Sequence, residues 1–265
     1  KVTFRRPNSD LQSIILRLIK HTTFVRPKDI SPAIISLLKF EPALQVLLNK
    51  KYQMDTKKSL NDSVLALSKI PLLLEFMTIC PFSDLELEAV FTKIRSHLLV
   101  TVTENSWRPA ILRFQSALAL QCFTNEYIYM ENEKDTEKIH NLEAEIRIKL
   151  HSGKQPDPQL ILCLASYRPL HKFDWSERLD VNKDLEQVYK RQITEPNQEI
   201  DILKGIKTLH TISNNVSSEV RAQYEESPYP RWVNLGLPFK SAKIATVTDQ
   251  LKLRLFDCKI KTIAD

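Results

Sequence analysis

The chain has 265 residues, of which 43% are hydrophobic and 26% are charged, so it can bury a sizeable core as one large domain or two ordinary ones. Its formal net charge is +6, but Lys and Arg are mixed with Asp and Glu along most of the sequence. That mixing favours solubility over a nucleic-acid interface. The three glycines are isolated in sequence, which excludes the glycine-rich phosphate cradle of Rossmann and P-loop proteins: Gly153, Gly205 and Gly236.

Cysteine and histidine are scattered along the chain. The four cysteines and six histidines show no Cys-x-x-Cys or His-x-x-x-His spacing, so we expect reduced thiols and no bound metal. No apolar run reaches the length of a membrane span, and the first residues lack the apolar stretch of a secretory signal. These features predict a cytoplasmic protein without a membrane span.

Apolar residues follow a helical period from Leu11 to about residue 226. Four points carry signals typical of helix starts, either an acidic or hydroxyl residue before proline or a capping box: Ser31-Pro32, Glu41-Pro42, Ser83 with Glu86, and Asp157-Pro158. The same period predicts helices over 109–130 and 134–151. It also predicts shorter helices near 184–194, 196–203 and 213–226. Residues 192–199 are expected to be a break between the helix near 184–194 and the helix near 196–203.

The predicted fold is mainly α. It is an irregular multi-helix bundle or a degenerate helical-repeat array, because prolines recur along the chain without matching side chains around them. Residues 1–232 are expected to form a helical domain. Residues 233–265 are expected to be a linker or the start of a following catalytic domain that is absent from this chain. Leu251, Leu253 and Leu255 alternate with other residues, which predicts a short extended or β segment near the C-terminus.

A row of polar residues marks the helix predicted over 109–130. Gln121, Asn125 and Tyr129 follow one another at i+4 spacing and therefore share one face of that helix. Aligned polar side chains of this kind either bind a polar ligand or partner, or form hydrogen bonds with a neighbouring helix.

Residues 219–232 combine an amphipathic segment with two prolines. Pro228 and Pro230 end a helix near Ser227 and force the following residues into an extended conformation. The extended strip carries three large or charged side chains: Tyr229, Arg231 and Trp232. It is expected to lie beside a helix face that carries Arg221, Tyr224 and Glu225. Such a strip suits the lip of a pocket, although a helix terminator that packs its rings into the core has the same pattern.

Four patches of the sequence together resemble one family. They are Leu85-Glu-Leu-Glu with Ile94-Arg, Leu118-Ala-Leu-Gln-Cys-Phe-Thr-Asn-Glu-Tyr, Ser166-Tyr-Arg-Pro-Leu, and the motif at 216–232 that ends in Ser-Pro-Tyr-Pro-Arg-Trp. They look like the helical region upstream of the catalytic domain in bacterial class I S-adenosylmethionine-dependent methyltransferases, many of which carry tetratricopeptide repeats. The resemblance covers most of residues 30–235, and some relatives are protein lysine methyltransferases acting on bacterial surface proteins.

The resemblance implies a helical accessory and substrate-binding region that lines the active site through residues 219–232. Its cofactor is S-adenosylmethionine in the complete enzyme, and none is expected for this chain alone. By analogy, Arg221, Tyr224, Glu225, Tyr229 and Arg231 lie against the cofactor, whereas a second set faces a protein substrate or partner: Gln121, Asn125, Tyr129 and Trp232. No residue of the chain is expected to be catalytic.

In the family, a glycine-rich strand–turn–helix follows soon after Pro-Tyr-Pro-Arg-Trp, but here the sequence stops at Asp265 before any such motif. The catalytic domain is therefore expected in cis beyond this sequence or on another chain, unless it has been lost. Three functions stay open: the methyltransferase accessory region, a non-catalytic helical scaffold that binds a protein partner, and an RNA-associated module, of which the last has only the positive net charge in its favour. A homodimer is compatible with the first two.

Overall fold

A computed structural model describes residues 4, 6–21, 26–49, 57–103 and 109–206, together with residues 219–221, 223, 233 and 243. These parts of the chain contain α-helices and no β-strand, which confirms the prediction of a mainly α protein. In chain order the helices are α1 (Ser9–Lys20), α2 (Pro27–Leu38), α3 (Pro42–Leu48), α4 (Lys57–Leu67), α5 (Pro71–Ile79), α6 (Leu85–Thr101), α7 (Pro109–Thr124), α8 (Glu133–His151), α9 (Pro158–Ala165), α10 (Glu186–Tyr189) and α11 (Glu195–Gly205). The extended segment predicted around Leu251–Leu255 lies outside the described residues.

Helix starts follow the sequence signals with two corrections. Pro27, not Pro32, occupies the first turn of α2, and Pro32 lies inside that helix. Asp84, not Ser83, caps α6, since its carboxylate accepts a hydrogen bond from the Leu87 N–H at 3.1 Å. The predicted starts at Glu41-Pro42 and Asp157-Pro158 are confirmed.

The predicted extension of α7 to residue 130 is wrong. Glu126 and Tyr127 adopt the left-handed conformation, with φ of 56° and 57°, and so the helix ends at Thr124. The Tyr127 N–H donates to the Cys122 carbonyl at 2.8 Å, closing the C-terminal turn in the manner of a Schellman motif. The chain then turns sharply, which brings residues 128–132 back alongside α6.

The predicted break at residues 192–199 is also wrong. A π-helical turn over Lys190–Thr194 joins α10 directly to α11, so the backbone stays helical from residue 186 to 205. Such a turn inserts one residue into the helical ladder and re-aims the neighbouring side chains. Here it leaves Gln192 fully buried.

Buried apolar residues form two clusters that share α7. The first gathers side chains from α2 to α7, and the second gathers those of α8, α9 and the chain up to Ile193. Phe114 and Leu118 of α7 belong to the first cluster, whereas Ala119 and Leu120 belong to the second. A helix that is apolar on nearly all sides is typical of a core position, and α7 packs against both α5 and α9.

Candidate functional site

Arg95 of α6 is a buried cation, with only 1% of its surface exposed. Its Nη2 donates hydrogen bonds to the carbonyl oxygens of Tyr129 at 2.9 Å and Met130 at 2.8 Å, and its Nη1 donates to the carbonyl of Ser166 at 3.3 Å. These bonds join α6, the chain that follows α7, and the end of α9. A buried guanidinium must have such partners, because an unpaired buried charge costs several kcal/mol.

Two tyrosine rings flank the same guanidinium. The Arg95 Cζ atom lies 4.1 Å from the ring centroid of Tyr167 and 5.7 Å from that of Tyr129, which are cation–π distances. Burial raises the pKa of both phenols, so both rings stay neutral. We call Arg95, Tyr129, Met130, Ser166 and Tyr167 the Arg95 cluster.

Gln192 makes a second buried connection. Its Nε2 donates to the carbonyls of Ala119 at 3.1 Å and Ala165 at 3.0 Å, and its Oε1 accepts from the Leu170 N–H at 3.3 Å. The π-helical turn is thereby tied to the middle of α7 and the end of α9. Sequence reasoning assigned no role to Arg95 or Gln192. The available signal for Arg95 was its place beside Phe91, Ile94 and Leu98, on the apolar side of α6.

The three residues predicted to share a polar helix face are all buried. Gln121 is 0% exposed, Asn125 3% and Tyr129 4%, and the last two lie beyond the end of α7. With the Gln121 amide turned so that its oxygen accepts from the Phe82 N–H, its nitrogen donates to the carbonyls of Met77 and Cys80, each at 3.0 Å. Gln121 thus forms the inter-helix network that the sequence left open as one of two alternatives. Contact of the three residues with a substrate or partner stays a prediction.

The 219–232 motif falls mostly outside the described residues. Arg221 is helical and exposed, as are Glu219 and Val220. Tyr224, Glu225, Tyr229, Arg231 and Trp232 lie outside the described residues, so the cofactor and partner contacts assigned to them by analogy stay predictions.

A surface groove runs along α6. One face of α6 from Leu85 to Ser96 forms one wall, residues 130–132 and Asp135 form the other, and the groove holds about 560 Å³. Two large apolar side chains border it in unusually open positions, Leu85 with 83% and Met130 with 80% of its surface exposed. We call this feature the α6 groove.

Two carboxylates of the α6 groove are held by hydrogen bonds. Glu131 accepts two hydrogen bonds from the guanidinium of Arg168, at 2.7 and 2.8 Å, and this pairing holds the pKa of Glu131 below its usual value. The buried Asp135 carboxylate accepts from the Ser96 hydroxyl at 2.8 Å and from the Asn132 amide at 3.0 Å. Hydrogen bonds therefore hold both side chains in place, and the lowered pKa keeps Glu131 ionised at neutral pH.

A second concavity of about 430 Å³ lies between α5, α7 and the start of α10. Its border includes two carboxylates and four exposed basic side chains: Lys20, Lys69, Arg113 and Lys183. Glu75 on the same border lies 3.9 Å from the ammonium of Lys20. The basic residues stand on the rim in water, as solvated surface charges do.

The described residues contain no cluster of metal ligands, and the cysteines among them are buried. Within the described residues, no three His, Cys, Asp or Glu side chains come close enough together to hold a metal ion. Burial raises the pKa of the thiols of Cys80 and Cys122 to about 11 and that of Cys163 to about 12, so these thiols are unreactive at neutral pH.

No single helix in the described ranges is both long and apolar enough to cross a bilayer. Only α2 and α3 taken together reach the required length and composition, and the two helices are bent by 84° relative to each other.

Comparisons with protein-family models, with curated proteins and with solved structures return no match for this chain. The fold and the residues themselves are therefore the basis for a functional assignment.

Proposed function

We propose that this chain is the helical, substrate-binding region of an S-adenosylmethionine-dependent methyltransferase, and that its 219–232 motif lines the methyl-donor pocket. The observation that carries the proposal is the motif itself, which puts two prolines, two aromatic rings and an arginine directly after an amphipathic segment. Methyl transfer from a sulfonium depends chiefly on in-line positioning in a dry site, and a stiff aromatic strip contributes to that without acting as acid or base.

The packing of the core supports treating the resemblance patches as one unit. Arg95 from the first patch bonds to the carbonyls of Tyr129 and Met130, just beyond the second patch, and to Ser166 of the third. Residues that are far apart in sequence thus build a single buried cluster.

The proposal requires a catalytic domain, in cis or on another chain, that supplies the glycine-rich cofactor cradle. A protein is the proposed substrate. Arg221 is exposed on its helix, which leaves it accessible to such a domain. In the assembled enzyme, Tyr224 and Tyr229 would form walls of the donor pocket, and Arg221 would supply an orienting charge.

The decisive experiment compares this chain with the full gene product. The coding sequence beyond Asp265, or a partner gene, should encode a glycine-rich strand–turn–helix. Calorimetric titration with S-adenosylmethionine should show binding by the complete assembly and none by this chain alone. Micromolar binding by the isolated chain would place the cofactor site elsewhere, and absence of a catalytic half would remove the proposal.

Tyr224→Ala in the complete enzyme tests the pocket wall, with Tyr224→Phe as the matched control. The alanine variant should lower turnover by about 10-fold or more while the melting temperature changes little, because the ring positions the donor instead of filling a core. Phenylalanine keeps the ring and should retain most activity. A large fall in melting temperature with unchanged turnover would favour core packing of this residue.

A non-catalytic scaffold that binds a protein partner is the second candidate, and an apolar face on α11 favours it. Ile200, Ile202, Leu203 and Ile206 on and just beyond this helix are between 47% and 66% exposed. Apolar patches of this kind are typical of protein interfaces. Sedimentation analysis of the wild type and of Ile202→Ser tests for self-association through this face: a dimer lost in the variant would support a homodimeric scaffold, and a monomer in both would oppose it.

A further inference from the structure

The two most exposed large apolar side chains among the described residues border the same groove. Leu85 is 83% exposed and Met130 80%, and both line the α6 groove although they come from different elements. Isolated exposed apolar residues are ordinary on a protein surface, but a pair on opposite sides of one concavity forms a place where an apolar side chain of a partner can be buried.

The backbone at both positions is fixed by polar groups of the protein. Asp84 caps α6 and thereby holds Leu85 in the first turn. The buried Arg95 holds the Met130 carbonyl at 2.8 Å, and Tyr129 beside it is buried. Met130 is therefore displayed by a rigid support rather than by a loose loop. A binding surface that is already ordered loses little conformational entropy when it is occupied.

The dimensions of the groove fit a short extended peptide. Its α6 wall presents positions 85, 88, 89, 92, 93 and 96, which is one face of a helix at i, i+3, i+4, i+7, i+8 and i+11. At about 1.5 Å per residue this face is roughly 16 Å long. An extended chain of about five residues covers that length. Ala89 and Thr92 in the middle of the face are small enough to let a backbone approach.

The charge of the groove selects the partner. Three carboxylates border it, those of Glu88, Glu131 and Asp135, against the single ammonium of Lys93. Glu131 forms an ion pair with Arg168, and the Asp135 carboxylate accepts hydrogen bonds from Ser96 and Asn132. Glu88 makes no ion pair within the described residues. Because Arg168 neutralises Glu131 and Asp135 is only 3% exposed, Glu88 is the groove carboxylate that can pair with a cation of a bound segment.

We infer that the α6 groove binds a protein segment in which a large apolar side chain stands next to lysine or arginine. The apolar side chain packs between Leu85 and Met130, and the cation lies against Glu88. That this segment belongs to the methylated substrate rests on the proposed function. The binding itself does not, because it needs no cofactor and no methyl transfer.

The test uses this chain and two labelled peptides in fluorescence anisotropy. The probe is fluorescein-labelled Lys-Leu-Lys-Leu-Lys, and the matched probe is Glu-Leu-Glu-Leu-Glu. We expect the basic peptide to bind about 10-fold more tightly or better, with an affinity that falls as salt rises. Equal binding of the two peptides, or no binding of the basic one, would overturn the inference.

Variants locate the bound peptide. Leu85→Ser and Met130→Ser should each weaken binding by about 10-fold, and Glu88→Gln should weaken it by about 3-fold and reduce its salt dependence. Ile148→Ser and Ile14→Ser are the matched controls, because these residues are 69% and 61% exposed but lie away from the groove. An equal loss of affinity in the control variants would show general apolar adhesion and refute the assignment. All five side chains are on the surface, so unchanged melting temperatures should accompany these effects.

The outcomes separate this inference from the proposed function. Peptide binding at the groove with no cofactor binding by any complete assembly would leave the groove standing and remove the methyltransferase. Cofactor binding by the complete assembly without peptide binding by this chain would support the methyltransferase and refute the peptide site in the groove. If both stand, Leu85→Ser in the complete enzyme should raise KM for the protein substrate and leave kcat unchanged.

Discussion

The guanidinium carbon of Arg95 lies 4.1 Å from the ring centroid of Tyr167. The Arg95 side chain is almost fully buried and donates hydrogen bonds to three backbone carbonyls. Arg95→Met fills a similar volume but leaves the carbonyls of Tyr129, Met130 and Ser166 without this donor. We expect the free energy of unfolding to fall by about 3 kcal/mol or more, measured by urea denaturation.

Arg95→Lys is the matched control for charge. Lysine keeps the cation but presents a single compact ammonium in place of a planar fork, so it cannot reach the same three carbonyls. We expect this variant to be destabilised as well. If Arg95→Met were as stable as the wild type, the buried cation would contribute nothing to the free energy of unfolding. The three carbonyls would then have found other hydrogen-bond donors.

Gln192→Leu should destabilise the second cluster. The leucine side chain cannot bond to the carbonyls of Ala119 and Ala165 or to the Leu170 N–H, and the loss of these buried hydrogen bonds should cost about 2 kcal/mol. Gln198→Leu, at an exposed position of α11, is the control and should change stability by less than about 0.5 kcal/mol. Thermal unfolding followed by circular dichroism compares the two, and equal melting temperatures would count against the role of Gln192.

The ion pair between Glu131 and Arg168 makes the free energy of unfolding depend on pH in the acidic range. Because the folded-state pKa of Glu131 lies below its usual value, the pair stabilises the fold at neutral pH. That contribution is lost as the pH falls through the folded-state pKa. Between about pH 7 and pH 3, the wild type should therefore lose more stability than Glu131→Gln, as measured by chemical denaturation at each pH. Parallel curves for the two proteins would contradict this.

The buried cysteines should resist alkylation in the native protein. Cys80, Cys122 and Cys163 are buried, and burial raises their pKa values to about 11, 11 and 12. Iodoacetamide at about pH 8, followed by peptide mass spectrometry, should leave all three unmodified in the native state and modify them in denaturant. Rapid native labelling of Cys122 would show that the core opens near α7.

The sequence predicts the helices far better than the way they are joined. Proline in the first turn is a local signal, and it identifies the starts of α3 and α9 from neighbouring residues alone. The end of α7 depends instead on two non-glycine residues in the left-handed region, Glu126 and Tyr127, and the Tyr127 hydroxyl donates at 3.3 Å to the Ala165 carbonyl, 38 residues away. The π-helical turn at Lys190–Thr194 has the same origin, because the bonds of Gln192 reach residues 27 and 73 positions away.

The candidate site is predictable in part. The polar row at Gln121 indicates a network or a ligand contact, and the structure shows a network for that residue. The α6 groove escaped prediction because Leu85 and Met130 look like ordinary core residues in sequence. Their exposure depends on the tertiary structure. Asp84 caps the helix start at Leu85, and the Arg95 guanidinium donates a hydrogen bond to the Met130 carbonyl.

The position of α7 has a consequence for how the chain can be divided. One face of this helix completes the cluster that precedes it and the opposite face completes the cluster that follows it. A fragment ending before α7 would present an unfilled slot on α5, and a fragment beginning after it would present one on α9. Since α1 also packs against α5, we expect a fusion or a split of this protein to disturb the fold least outside residues 9–206.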